Sequence, residues 1–119
     1  MEFEEENFIS RQRELCQKYG VVPLVSKHNQ LVVVSDGVFE GASVEGVRYP
    51  SPKHMSGWWL ATGKYTGDPD TLRTEHVFHL FEKRPDLVKF LALPYGFRFR
   101  TNGAEEVWFD EGITRETAD

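Results

Sequence analysis

Prolines at positions 23, 50, 52, 69, 85 and 94 cut this chain of 119 residues into short stretches, and only the first of them carries a helical pattern of several turns. Proline fixes φ and has no N–H to donate, so these positions interrupt a helix interior or a central strand. Ahead of Pro23, the residues Phe8, Ile9, Leu15, Cys16 and Tyr19 fall at helical spacing from about Glu4 to Tyr19. Acids in the first turn and Gly20 after the last mark the two ends of this helix.

Beyond Pro23, Leu31 to Ser35 is a β-branched run that predicts a buried strand, and Asp36-Gly37 predicts a turn. Residues 38–49 alternate loosely and are interrupted by Gly41 and Gly46, so a weak strand or loop is expected. Gly57 to Thr62 has the aromatic, extended character of a strand, with Trp58 and Leu60 facing one way and Trp59 and Ala61 the other. Lys64 to Asp70 reads as a loop, with Asp70 or Thr71 available to cap a helix striped by Val77, Phe78, Leu80 and Phe81. Pro85 breaks that helix, and Asp86 can start a second short one through Leu87, Val88, Phe90 and Leu91, ending near Pro94. Last come Gly96 to Thr101 and Glu105 to Phe109, flanking Asn102-Gly103, a pair suited to a tight type I′ turn. In that hairpin Phe97 and Phe99 share one face, with Arg98 and Arg100 opposite. The order predicts an α+β fold: an N-terminal helix, a small, mainly antiparallel sheet with a C-terminal hairpin, and two short helices packed on the sheet. The length suits one domain spanning residues 1–119, and nine Phe, four Tyr and three Trp supply its core.

The formal net charge of -5 argues against nucleic acid as a partner, since binding to phosphate backbones draws on Lys and Arg displacing counterions. Acids crowd both ends, and residues 7–102 hold nine acids against thirteen bases. These ends are either solvated tails or an acidic surface that steers a basic partner. Cys16 is the only cysteine, so no internal disulfide can form, and its place in the helical stripe predicts a buried apolar role. The N-terminus lacks a basic and apolar leader, and no apolar run approaches the ~20 residues that cross a bilayer. The expected address is the cytoplasm, with no membrane partner.

Searching the chain for chemistry brings up little. Gly41 and Gly46 lack the spacing and the following helix of a phosphate loop. His76 and His79 lie three apart on the expected helix, and His54 could join them on a metal, but no Cys or carboxylate completes a diagnostic ligand set. Cys16 shows no activating base, and Asp68, Asp70 and Glu75 read as solvated or capping acids before they read as acid–base catalysts. The expectation is therefore no enzyme, no metal and no cofactor. Two adjacent tryptophans in one strand point to opposite faces, so Trp59 lies either in a second buried layer or at an interface, where tryptophan is a favoured anchor.

Several separated motifs then bear on the family. They are Val34-Ser35-Asp36-Gly37 with Glu40-Gly41, Val47-Arg48-Tyr49-Pro50, Ser56-Gly57-Trp58-Trp59 with Gly63, Asp68-Pro69, His76 and His79-Leu80. Leu91 to Phe99, containing Leu-Pro-x-Gly-x-Arg-Phe, and Glu106-Val107-Trp108-Phe109-Asp110-Glu111 complete the set. The run from Val33 to Glu111 resembles, in this order of motifs, a bacterial immunity-protein family of polymorphic toxin systems formerly catalogued as a domain of unknown function. Lys64, where the family often has an acid, and Phe97, where it often has Trp, depart from the pattern.

The resemblance implies a cytoplasmic antidote that binds a cognate protein toxin and holds it inactive, with no catalytic residues and no cofactor. It also implies structural roles for Gly57 and Gly63 bracketing a strand, Pro94 and Gly96 setting a turn, and Trp108 filling the core face of the hairpin. Partner contacts are then expected on variable surface: Trp59, Tyr65, Asp68, Asp70 and the hairpin acids Glu105, Glu106, Asp110 and Glu111. The acidity mildly favours a basic partner such as a nuclease. A homodimer, a binding or regulatory domain of the same fold without a toxin, and a metal protein using the histidines remain open alternatives.

Overall fold

The structure, a computed structural model, describes residues 5–116, with side-chain burial described for residues 7–114. Helix α1 covers Glu5–Lys18, and strands β1 (Leu31–Val34), β2 (Glu45–Arg48) and β3 (Met55–Ala61) follow. A 3-10 turn at Pro69–Thr71 leads into β4 (Arg73–His76), α2 (Val77–Lys83) and a second 3-10 helix at Pro85–Phe90. The chain continues through β5 (Phe97–Arg100), β6 (Glu106–Phe109) and α3 (Glu111–Glu116). The six strands form one sheet in the order β4-β1-β3-β2-β5-β6. Only the β1–β3 pair is parallel, so the fold is α+β with a mostly antiparallel sheet, as the sequence predicts.

Alternation along the strands decides which side is covered. Val32 and Val34 of β1, Trp58 and Leu60 of β3, and Phe97 and Phe99 of β5 turn to one face and are buried. There they meet Cys16 of α1, Val77, Leu80 and Phe81 of α2, and Leu87, Val88 and Phe90 of the 3-10 helix in one hydrophobic cluster. Full burial of such a side chain is worth roughly 1.5–3 kcal/mol. The packing is closest where Phe99 stacks on Phe90 at 4.2 Å and meets Trp58 edge-on at 5.3 Å. Phe99 also occupies the space of a missing side chain on Gly46, where a Cβ would stand 2.2 Å from the ring.

Arg48 is the unexpected occupant of this core, at 2% exposure. Its Nε donates to Ser56 O at 2.8 Å, and Nη1 gathers Leu24 O, Leu91 O and Leu93 O within 3.0 Å. The guanidinium also lies 5.6 Å from the Trp58 ring and 5.4 Å from the Tyr95 ring. With carbonyls and π-faces in place of a carboxylate, burial pushes its pKa down to about 10, yet the group stays charged at neutral pH. Arg84 plays a similar part nearer the surface, donating from Nη1 to Val38 O and Ala42 O and from Nε and Nη2 to the two carboxylate oxygens of Asp86.

Four local expectations are corrected by the structure. Residues 73–76 form edge strand β4, where a helix was expected to follow the Asp70 or Thr71 cap directly. The side chain of Asp68 caps the 3-10 turn by accepting from Asp70 N, and the first amides of α2 instead donate to Gln30 O and His28 O. Phe78, placed in the apolar stripe by spacing, is 38% exposed because α2 buries only Val77, Leu80 and Phe81. The β5–β6 hairpin pairs Arg100 with Glu106, leaving a five-residue loop over 101–105 in place of a two-residue type I′ turn. Among the described residues none other than glycine has positive φ, so Asn102 does not adopt the left-handed conformation that such a turn requires. Register also puts Trp108 opposite Arg98, on the side away from the core, while Val107 packs against the core.

The uncovered sheet face as a candidate partner site

Residues directly opposite one another in a ladder point to the same side of a sheet. Thr74, Val33, Trp59, Val47, Arg98 and Trp108 are linked in this way across all six strands, forming one row on the face away from the helices. Trp59 stands in its middle at 42% exposure, with Tyr49 edge-on at 5.7 Å. Beside it, Val33, Pro69, Leu72, Arg73 and Thr74 complete the lining of a shallow groove of about 530 Å³. The groove's apolar floor comes from strand alternation, and its wall from the Pro69–Thr71 turn folding back beside β4.

The β5–β6 side of this face is polar, and its charges are paired with one another. Arg98 Nη1 lies 3.1 Å from Asp110 Oδ2, and Arg100 lies 3.3 Å from Glu45 and 3.1 Å from Glu106. Hydrogen bonding to Glu106 leads the causes that raise the pKa of Arg100. Both guanidiniums flank the indole of Trp108, at 5.7 and 5.5 Å. Arg98 Nε is buried with no hydrogen-bond partner among the described residues.

The structure gathers part of the expected partner surface and disperses the rest. Trp59 faces the groove, and Asp68 and Asp70 are exposed on the turn that walls it. Tyr65 lines a separate cleft of about 390 Å³ beyond the far end of β3, with Glu45 and Arg100 among its neighbours. Glu106 lies on the open face, and Asp110 holds Arg98 while its Oδ1 accepts from Gly112 N at the start of α3. Glu111 opens α3, and Glu105 contacts Lys89 of the Pro85–Phe90 helix, which packs on the covered side. Val33, Val47, Leu72 and Thr74 were absent from the expected site. Only strand register places them beside Trp59, and four-residue strands leave too little alternation to announce register in the sequence.

The other groups singled out for chemistry stay apart. Cys16 is buried, its Sγ 3.5 Å from Ala92 O, and burial raises its pKa, which disfavours the thiolate that a nucleophile needs. The rings of His76 and His79 are 6.1 Å apart, and no three His, Cys, Asp or Glu side chains among the described residues form a group able to hold a metal. On the helix side, Val22, Val25 and Ile9 are exposed at 82%, 60% and 41%, a second apolar area.

Comparison with known proteins adds one positive finding. No curated protein and no solved structure matches the chain. No helix among the described residues is long and apolar enough to cross a membrane. A model of the Imm33-like domain matches residues 11–110, a span that takes in most of α1 and every strand of the sheet. The chain therefore belongs to the Imm33-like family.

Proposed function

We propose that this chain is an immunity protein of a polymorphic toxin system, which binds a cognate bacterial toxin in the cytoplasm and holds it inactive by occupying it. The observation that carries this reading is the open sheet face, where a half-exposed tryptophan stands between Val33 and Val47 on the side away from the main hydrophobic cluster. An aromatic anchor in such a setting is the usual centre of a protein–protein contact. Family membership supports the same reading, since the family is named for its likeness to immunity proteins. Trp59, Asp68, Asp70, Glu106 and Asp110 make up the docking surface, with Tyr65 in the cleft beside Glu45 and Arg100, and Glu111 adding charge at the β6 margin, while Glu105 is held by Lys89 on the covered side. Action by occupancy asks for no catalytic group and no cofactor, and the acids suit a basic toxin such as a nuclease.

The test is co-expression with toxin-like proteins encoded beside the gene. A neighbour that kills cells alone, is neutralised by this chain and co-purifies with it near one-to-one is the expected result. Trp59→Asp is expected to abolish rescue while the protein stays folded by circular dichroism. If no neighbour is both toxic and neutralised, the chain is a binding domain of the same fold without a toxin. Rescue that survives Trp59→Asp moves the docking surface elsewhere.

A further inference from the structure

The groove beside Trp59 constrains what sits in it. Its floor is the indole and Val33, and its wall is Pro69 and Leu72, so an aliphatic or aromatic side chain is the complementary occupant. On either side of Pro69 in the chain, Asp68 and Asp70 are exposed and have no cationic partner among the described residues. Arg73 does not serve them, because it is engaged with Asp36 at 3.2 Å and Glu75 at 3.5 Å. Across the sheet, Arg98 and Arg100 are likewise taken up by Asp110, Glu45 and Glu106, three carboxylates for two guanidiniums. The face thus has no uncommitted arginine to meet an acidic partner, and uncompensated carboxylates border its apolar centre.

We infer that the toxin element seated in this groove presents an apolar side chain flanked by Lys or Arg, with the apolar group on Trp59 and the cation against Asp68 and Asp70. This rests on the reading that the open face docks the partner, and it adds the chemistry of the element docked there. Aromatic contact supplies most of the hold, and the carboxylates supply speed of encounter and orientation. On the helix side, the pocket at Val25 has Lys27 and no carboxylate in its lining, so it does not match a cation-flanked occupant, which is why the sheet face is favoured.

A display library of random peptides, panned on the whole protein at low salt, tests the inference without requiring the toxin. Enriched peptides are expected to pair an aromatic or aliphatic residue with Lys or Arg. Trp59→Ala should weaken them by about tenfold or more, as for a central aromatic anchor. Asp68→Asn with Asp70→Asn keeps the cap, because asparagine also accepts from Asp70 N, and should weaken binding by about tenfold at low salt and far less at high salt. Enrichment of acidic or purely polar peptides overturns the inference. So does binding that survives Trp59→Ala but is lost in Val22→Ser with Val25→Ser, and so does a failure to enrich. The co-expression rescue stands apart from these outcomes: a toxin neutralised through the open face by an acidic element would retain the function and remove this inference.

Discussion

Arg48 shows how much one residue can decide. Truncating it takes the guanidinium donor away from Ser56 O, Leu24 O and Leu93 O, while Leu91 O keeps Ser26 Oγ and Trp58 Nε1, and each buried orphan costs about 1–3 kcal/mol. Arg48→Met, which keeps most of the volume, should therefore lower stability by about 3 kcal/mol or more in urea unfolding. Arg48→Lys should recover only part of the loss, because an ammonium cannot reproduce donors spread over Nε and Nη1. Since burial depresses this base, the cost of carrying its proton is present throughout the neutral range and lifts only as pH rises above about 10. Asp86 works in the opposite sense. Hydrogen bonding to Arg84 leads the causes holding its carboxyl below the usual range, so the pair stabilises the fold above that range and ceases to do so as pH falls through the folded value. Asp86 is more than half exposed, and solvent screening limits the contribution to about 1 kcal/mol. Asp86→Asn should accordingly be less stable than wild type at neutral pH, and the two should converge in acid, as thermal melts across pH would show.

Among the elements, β3 bears the most constraint, since at seven residues it is the longest strand and it pairs with both β1 and β2. Gly57 lies within it at φ +89°, and a Cβ there would stand 2.3 Å from Tyr49 O. Gly57→Ala combines a left-handed strain with a backbone clash and should cost more than about 3 kcal/mol, read as a fall in melting temperature or a failure to fold. The helical repeat before Gly20 was legible although Ile9 within it is 41% exposed, and the valines of β1 and the paired aromatics of β3 were legible because their spacing and side-chain type agree with the faces they take. Strand β4 was not legible: Arg73-Thr74-Glu75-His76 lies at the sheet edge, where no apolar alternation is required and charge discourages further pairing. The hairpin was legible as an element, but its loop was not, because Asn102-Gly103 permits a tight turn without imposing one on strands that pair by their own register.

For the whole molecule, the limits of sequence reading lie in assembly. Alternation alone separates Trp59 from Trp58, yet only the joining of six strands shows which residues stand beside it and that Glu105 turns toward the helices. Arg48 was invisible for a related reason: the carbonyls that solvate it come from stretches far apart in the chain. That arrangement also governs how the molecule opens. The segment carrying Leu24, the one carrying Ser56 and the one carrying Leu91 and Leu93 are all tied to one charge, and none can detach without leaving it short of partners in a dry interior. Local fraying across these segments is therefore suppressed in favour of all-or-none opening, so their buried amides should exchange with deuterium at one shared, slow rate.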